Sequence, residues 1–96
     1  MKIVLAVDND KKTIIKRTGQ APYFVIYEDN KVLKYISNGH KKDVELLKGC
    51  DIFLVQAIGE NMKDAINSIG LDIKKIRQKD GLTSDEVIKN FLAKNI

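Results

Sequence analysis

Uninterrupted apolar runs alternate along this chain with segments whose apolar positions recur at helical spacing. Lys2–Val7 (KIVLAV) and Asp51–Ala57 (DIFLVQA) are almost wholly apolar, the pattern of strands buried on both faces. Tyr23–Glu28 and Lys31–Ser37 are extended segments separated by Asp29-Asn30, which predicts a β-hairpin. Just ahead, Arg17–Glu28 (RTGQAPYFVIYE) places Gly19 and the chain's one proline, Pro22, before a dense apolar run. Gly19 allows backbone angles that other residues resist, and Pro22 biases Ala21 away from helix. A shaped loop over residues 8–22 is therefore expected, with a short extended piece at Thr13–Lys16.

Beyond the hairpin, Ser37-Asn38-Gly39 breaks the strand and offers an N-cap. His40–Lys48 then reads as a short helix with Val44, Leu46 and Leu47 inward, stopped by Gly49. Met62, Ala65, Ile66 and Ile69 fall at i, i+3, i+4 and i+7, and Gly70 closes that helix. Leu71–Ile76 is a lysine-studded strand suited to a sheet edge. Asp80-Gly81 turns the chain, Thr83 with Glu86 makes a capping box, and Val87, Ile88, Phe91 and Leu92 supply the buried face of a last helix.

The order is thus β-β-β-α-β-α-β-α in a single domain over residues 1–96. Right-handed crossovers and the hairpin lead to a mixed five-stranded α/β sheet in the order 3-2-1-4-5, with only strand 2 reversed, a ribonuclease H-like three-layer fold. In that arrangement strands 1, 3 and 4 all end at one edge, where ligands of open α/β sheets bind. One crevice there would hold Arg17, Gly19, Gln20, His40, Gln56 and the backbone amides near Gly59. A helix N-terminus joined by Arg17 and Lys16 favours a small anionic ligand. Gly59 has two readings, a tight strand-to-helix turn or room for a ligand. His40 is either a metal ligand or an exposed helix-start residue.

The net charge is +4, but fifteen of the seventeen basic residues are lysine, which gives point charges rather than bidentate recognition. Such a balance serves solubility as readily as nucleic acid, so nucleic acid is not favoured. No apolar run approaches the ~18–20 residues that cross a bilayer. One cysteine excludes an internal disulfide framework and suits a reducing, cytoplasmic setting. Cys50 reads as a structural thiol at the edge opposite His40, and Tyr23, Phe24 and Tyr27 as packing residues. Asp8 and Asp10 follow strand 1, as in metal-dependent nucleases, but strand 4 supplies Gln56 where an acidic partner is needed. Walker and Rossmann loops are absent from the sequence.

MKIVLAVD, TGQAPYFVIYE and CDIFLVQAIGENMKDAINSIGLDI, with the closing helix, resemble the dinitrogenase iron-molybdenum cofactor biosynthesis family over nearly the whole chain (NifX, or the NifB carboxy-terminal domain). Gly19, Ala21, Pro22, Tyr23 and Phe24 match its first motif, and Ile58-Gly59 its second. Arg17 stands at the motif's histidine, Thr18 at its aromatic residue, Gln20 where arginine is frequent, and Gln56-Ala57 at its paired glycines. The resemblance implies a non-enzymatic carrier for an anionic iron-molybdenum or iron-sulfur cluster, with a cofactor-assembly protein as partner. His40 is the imidazole left to serve as a metal ligand. The competing readings are a protein-interaction domain that kept the fold and lost the ligand and, ranked below it, a nuclease.

Overall fold

The computed structural model describes residues 1–38, 41–76 and 82–94. Strands β1 (Lys2–Val7), β2 (Tyr23–Glu28), β3 (Lys31–Ser37), β4 (Ile52–Val55) and β5 (Asp72–Lys75) form one sheet in the order β3-β2-β1-β4-β5. β2 runs antiparallel to both neighbours, while β1, β4 and β5 run parallel. The expected strand order and directions are those found.

β1 is central because both of its faces are covered. Val4 and Ala6 point to one side, where helix α1 (Glu60–Ser68) and a 3-10 helix (Lys41–Leu47) pack with Phe24, Ile26, Phe53 and Ile66. Ile3, Leu5 and Val7 point to the other, beneath helix α2 (Ser84–Lys94), against Val25, Tyr27, Leu54, Val87, Ile88 and Phe91. Phe24 and Phe53 meet edge to face, their centroids 5.3 Å apart, which joins β2 to β4 across β1. Among the described residues no helix is long and apolar enough to cross a membrane.

Local chemistry sets the element ends. Thr83 Oγ1 accepts from the Glu86 amide at 3.3 Å, and the Glu86 carboxylate accepts from the Thr83 amide at 3.1 Å, so the capping box forms as read. Gly70 ends α1 with φ +91°, a left-handed angle that costs glycine little.

Three expectations need correction. The segment after β3 is 3-10 rather than α, and three residues per turn align Val44 with Leu47 while turning Leu46 outward to 57% exposure. Leu92 is 39% exposed, because it lies a further ~100° round the helix from Phe91. β4 stops at Val55, since Ala57 leaves the sheet to pair with Arg17.

Candidate functional site

The loop between β1 and β2 is fixed at both ends. In its first half the Asp10 carboxylate accepts from the Lys12 and Thr13 amides, each at 2.8 Å, and from the Thr13 hydroxyl. The Thr13 hydroxyl bond and then the two amides hold that carboxyl below its usual range. Ile14 bridges back to Val7, and Thr13 bridges to Thr83 at the start of α2. The extended piece expected at Thr13–Lys16 is therefore a pair of bridges.

In its second half the loop meets the segment after β4. The Ala57 amide donates to Lys16 O at 2.9 Å, and Ala57 O accepts from both the amide (3.1 Å) and the hydroxyl (3.0 Å) of Thr18. Thr18 is only 1% exposed, so its hydroxyl is satisfied inside the wall of the site. Thr18–Gln20 form one 3-10 turn, and Ala21 is extended ahead of Pro22, at φ −70° and ψ 134°. Asn38, just past β3, donates to Pro22 O and Ala21 O at 2.9 and 2.8 Å, pinning the loop's far end.

These contacts leave a cleft of about 370 Å³ between Arg17–Gln20 and Ala57–Gly59. It lies beyond the carboxyl ends of β1 and β4, where the chain departs to opposite halves of the sheet. Gly59 is the N-cap of α1 and brings no capping side chain, so the first amides of that helix lack an intrahelical acceptor. The helix dipole and the exposed Arg17 guanidinium both make the cleft favourable to negative charge, with Glu60 in the first turn as a local counterweight.

Neither cleft glycine is there for its backbone. Gly59 sits at φ −77° and ψ 158°, angles open to any residue, and Gly19 has no positive φ, contrary to the expectation for that loop. A Cβ at either would meet no atom within 4 Å. Their missing side chains leave space that the chain itself does not fill.

The structure thus brings Arg17, Gly19, Gln20 and Gly59 to one cleft. Gln56 precedes the lining segment and is not part of its wall. His40 lies outside the described residues. Cys50 is buried at the amino-terminal approach to β4, the sheet edge opposite the cleft, and burial pushes its thiol up. Sequence reasoning missed Thr18 and Asn38 as the residues that hold the walls. A threonine beside a glycine turn and an asparagine closing a strand were the available signals.

Among the described residues, the cleft wall carries no thiolate, imidazole or carboxylate. Among the described residues no three His, Cys, Asp or Glu side chains stand close enough together to hold a metal ion. Asp10 is spent on its loop, and Asp8 accepts from the neighbouring Asn9 amide at 2.7 Å. What the wall offers is a guanidinium, a side-chain amide and backbone N–H groups, a donor set for an anion held by hydrogen bonds.

The model of the dinitrogenase iron-molybdenum cofactor family matches residues 1–94. Among solved structures, the apo form of the orange protein from Desulfovibrio gigas superposes with a TM-score of 0.75 at 19% identity, over 96% of this chain and 87% of that one. A candidate NifB protein from Thermotoga, of the DUF35 family, gives 0.75 at 22%, over 97% and 88%. A candidate dinitrogenase from Methanocaldococcus jannaschii gives 0.73 at 22%, over 97% and 88%. At such identities these likenesses speak to the fold alone. A search among curated proteins found no match.

Proposed function

The chain belongs to the dinitrogenase iron-molybdenum cofactor family, and from that premise we propose that it is a non-catalytic carrier whose cargo is an anionic metal-sulfur cluster, of the iron-molybdenum or iron-sulfur kind. The observation that carries this reading is the convergence of Arg17, the uncapped α1 N-terminus and two glycines without a backbone role on one cleft. Arg17 and Gln20 would donate hydrogen bonds to the cluster's anionic periphery, and the α1 amides would do the same from the facing wall. Gly19 and Gly59 would let a bulky cargo approach the backbone. Because the described residues of the wall present no soft ligand, charge and N–H donors would hold the cargo, with His40 as the one imidazole that could add a direct bond. The setting would be cytoplasmic, and a cofactor-assembly protein would deliver or receive the cluster.

Anaerobic titration with a cluster, followed by iron and molybdenum analysis after gel filtration, tests the reading. Wild type should retain metal. Arg17→Ala should weaken retention roughly 10- to 100-fold, since a charge-assisted hydrogen bond contributes about 1.5–3 kcal/mol. His40→Ala separates coordination from hydrogen bonding. Absence of retained metal in wild type would overturn the reading and favour the second one, an interaction domain that has kept the fold. That the described residues of the wall include no metal-coordinating side chain is the observation on that side.

A further inference from the structure

The two edges of the sheet differ. β5 is four residues long and presents Asp72, Lys74 and Lys75 to solvent, with Lys74 lying over the Phe91 ring. β3 is seven residues long and exposes Val32 (41%), Leu33 (48%) and Tyr35 (42%), half of the large hydrophobic side chains exposed among the described residues. Tyr35 pairs with Val25 and so stands on the α2 side of the sheet, outboard of α2 itself. Lys11 reaches over it there, its Nζ 5.5 Å from the Tyr35 centroid and 5.0 Å from that of Tyr23. Lys34 pairs with Ile26 and stands on the opposite side, near Cys50. The ladder moves from Ile26–Lys34 to Tyr27–Val32, which leaves Leu33 as a bulged extra residue.

A lysine in mid-edge and a bulge are the devices by which sheets refuse a second copy of themselves. Two β3 edges brought together would set Lys34 near its own counterpart. The same lysine attracts a strand of opposite charge. We propose that the Lys34–Ser37 half of β3 is a docking edge for an extended acidic segment of a partner protein that adds a sixth strand. Its acidic side chains face Lys34, and its alternate apolar side chains lie along Tyr35 on the other face. Main-chain hydrogen bonds supply the affinity, and the period-2 alternation supplies the selection. This edge is separate from the cleft, so the inference does not rest on the cargo reading.

The probe is a seven-residue capped peptide alternating glutamate with valine or isoleucine. Its control has the same composition with all the glutamates in one block. Amide shifts of the labelled protein report where each binds, and sedimentation velocity reports self-association. Expected is a saturable shift confined to residues 31–38, at least tenfold weaker for the blocked peptide. It should also fall at least tenfold in K34E yet persist in K75E, which carries the same net charge. Both variants are checked by circular dichroism, and the wild-type map stands without them. The absence of binding, shifts scattered over the surface, equal losses in both variants, or a concentration-dependent dimer through β3 would each overturn the proposal.

Discussion

At Gly59 and Gly19 an added methyl group would meet nothing, and neither position asks its backbone for an angle that alanine resists. Alanine also narrows the unfolded ensemble, which stabilises by about 0.4–1 kcal/mol at a compatible site. G19A and G59A should therefore melt at or slightly above the wild-type temperature while retaining less cluster. A fall in melting temperature at either position would show that the glycine serves the fold. Whether a glycine is wanted for its angles or for its emptiness is invisible in sequence. Gly70 and Gly59 each sit at a helix end, yet only Gly70 has a left-handed φ. Thr18 was equally hidden, because its role comes from a partner 39 positions away.

At the scale of elements, α2 is held at its first turn by two independent devices. The capping box is one, and T83A should cost about 1 kcal/mol in urea denaturation. The other is the Tyr27 hydroxyl, buried against Ser84 at 2.8 Å and hydrogen-bonded to Asp85. Burial, and then the Asp85 carboxylate, hold the Tyr27 phenol well above the ordinary tyrosine range. A group whose pKa is raised by folding contributes stability that is whole below its unfolded value, about 10, and is lost as pH climbs towards the folded one. Wild type should thus lose stability relative to Y27F above pH ~10, by up to about 1.4 kcal/mol per pH unit. Parallel curves for the two proteins would place the phenol's titration outside the folding equilibrium. Element types were readable wherever period and length agreed, as in β1 and α1. The 3-10 helix escaped because residues 44 and 47 share a face at either pitch, and only Leu46 distinguishes them.

On the scale of the whole molecule, the sheet order was legible because two doubly apolar runs had to take the middle, and the hairpin then had nowhere to go but one side. That order alone brings residues 17–20 and 57–59 to one rim, so most of the candidate site followed from topology. Gln56 missed the wall because β4 ends one residue before it, where the chain turns away to meet the loop. Cys50 lies at the far end of the molecule, raised by burial. Its thiolate population at pH 8 should be below that of a free cysteine, and a disulfide reagent should label the native chain far more slowly than the urea-unfolded one. Comparable rates would mean that the β4 approach opens readily.

Ala57 engages Lys16 with its N–H and Thr18 with its C=O, so both banks of the cleft are stitched together by a single residue. Such banks have no hinge between them and cannot close over a guest as a lid would. These two banks by themselves would leave one face of a cluster resting there uncovered. On the proposed carrier reading, transfer would then be settled by competition, with the receiving protein presenting more, or softer, donors to the face these two banks leave uncovered.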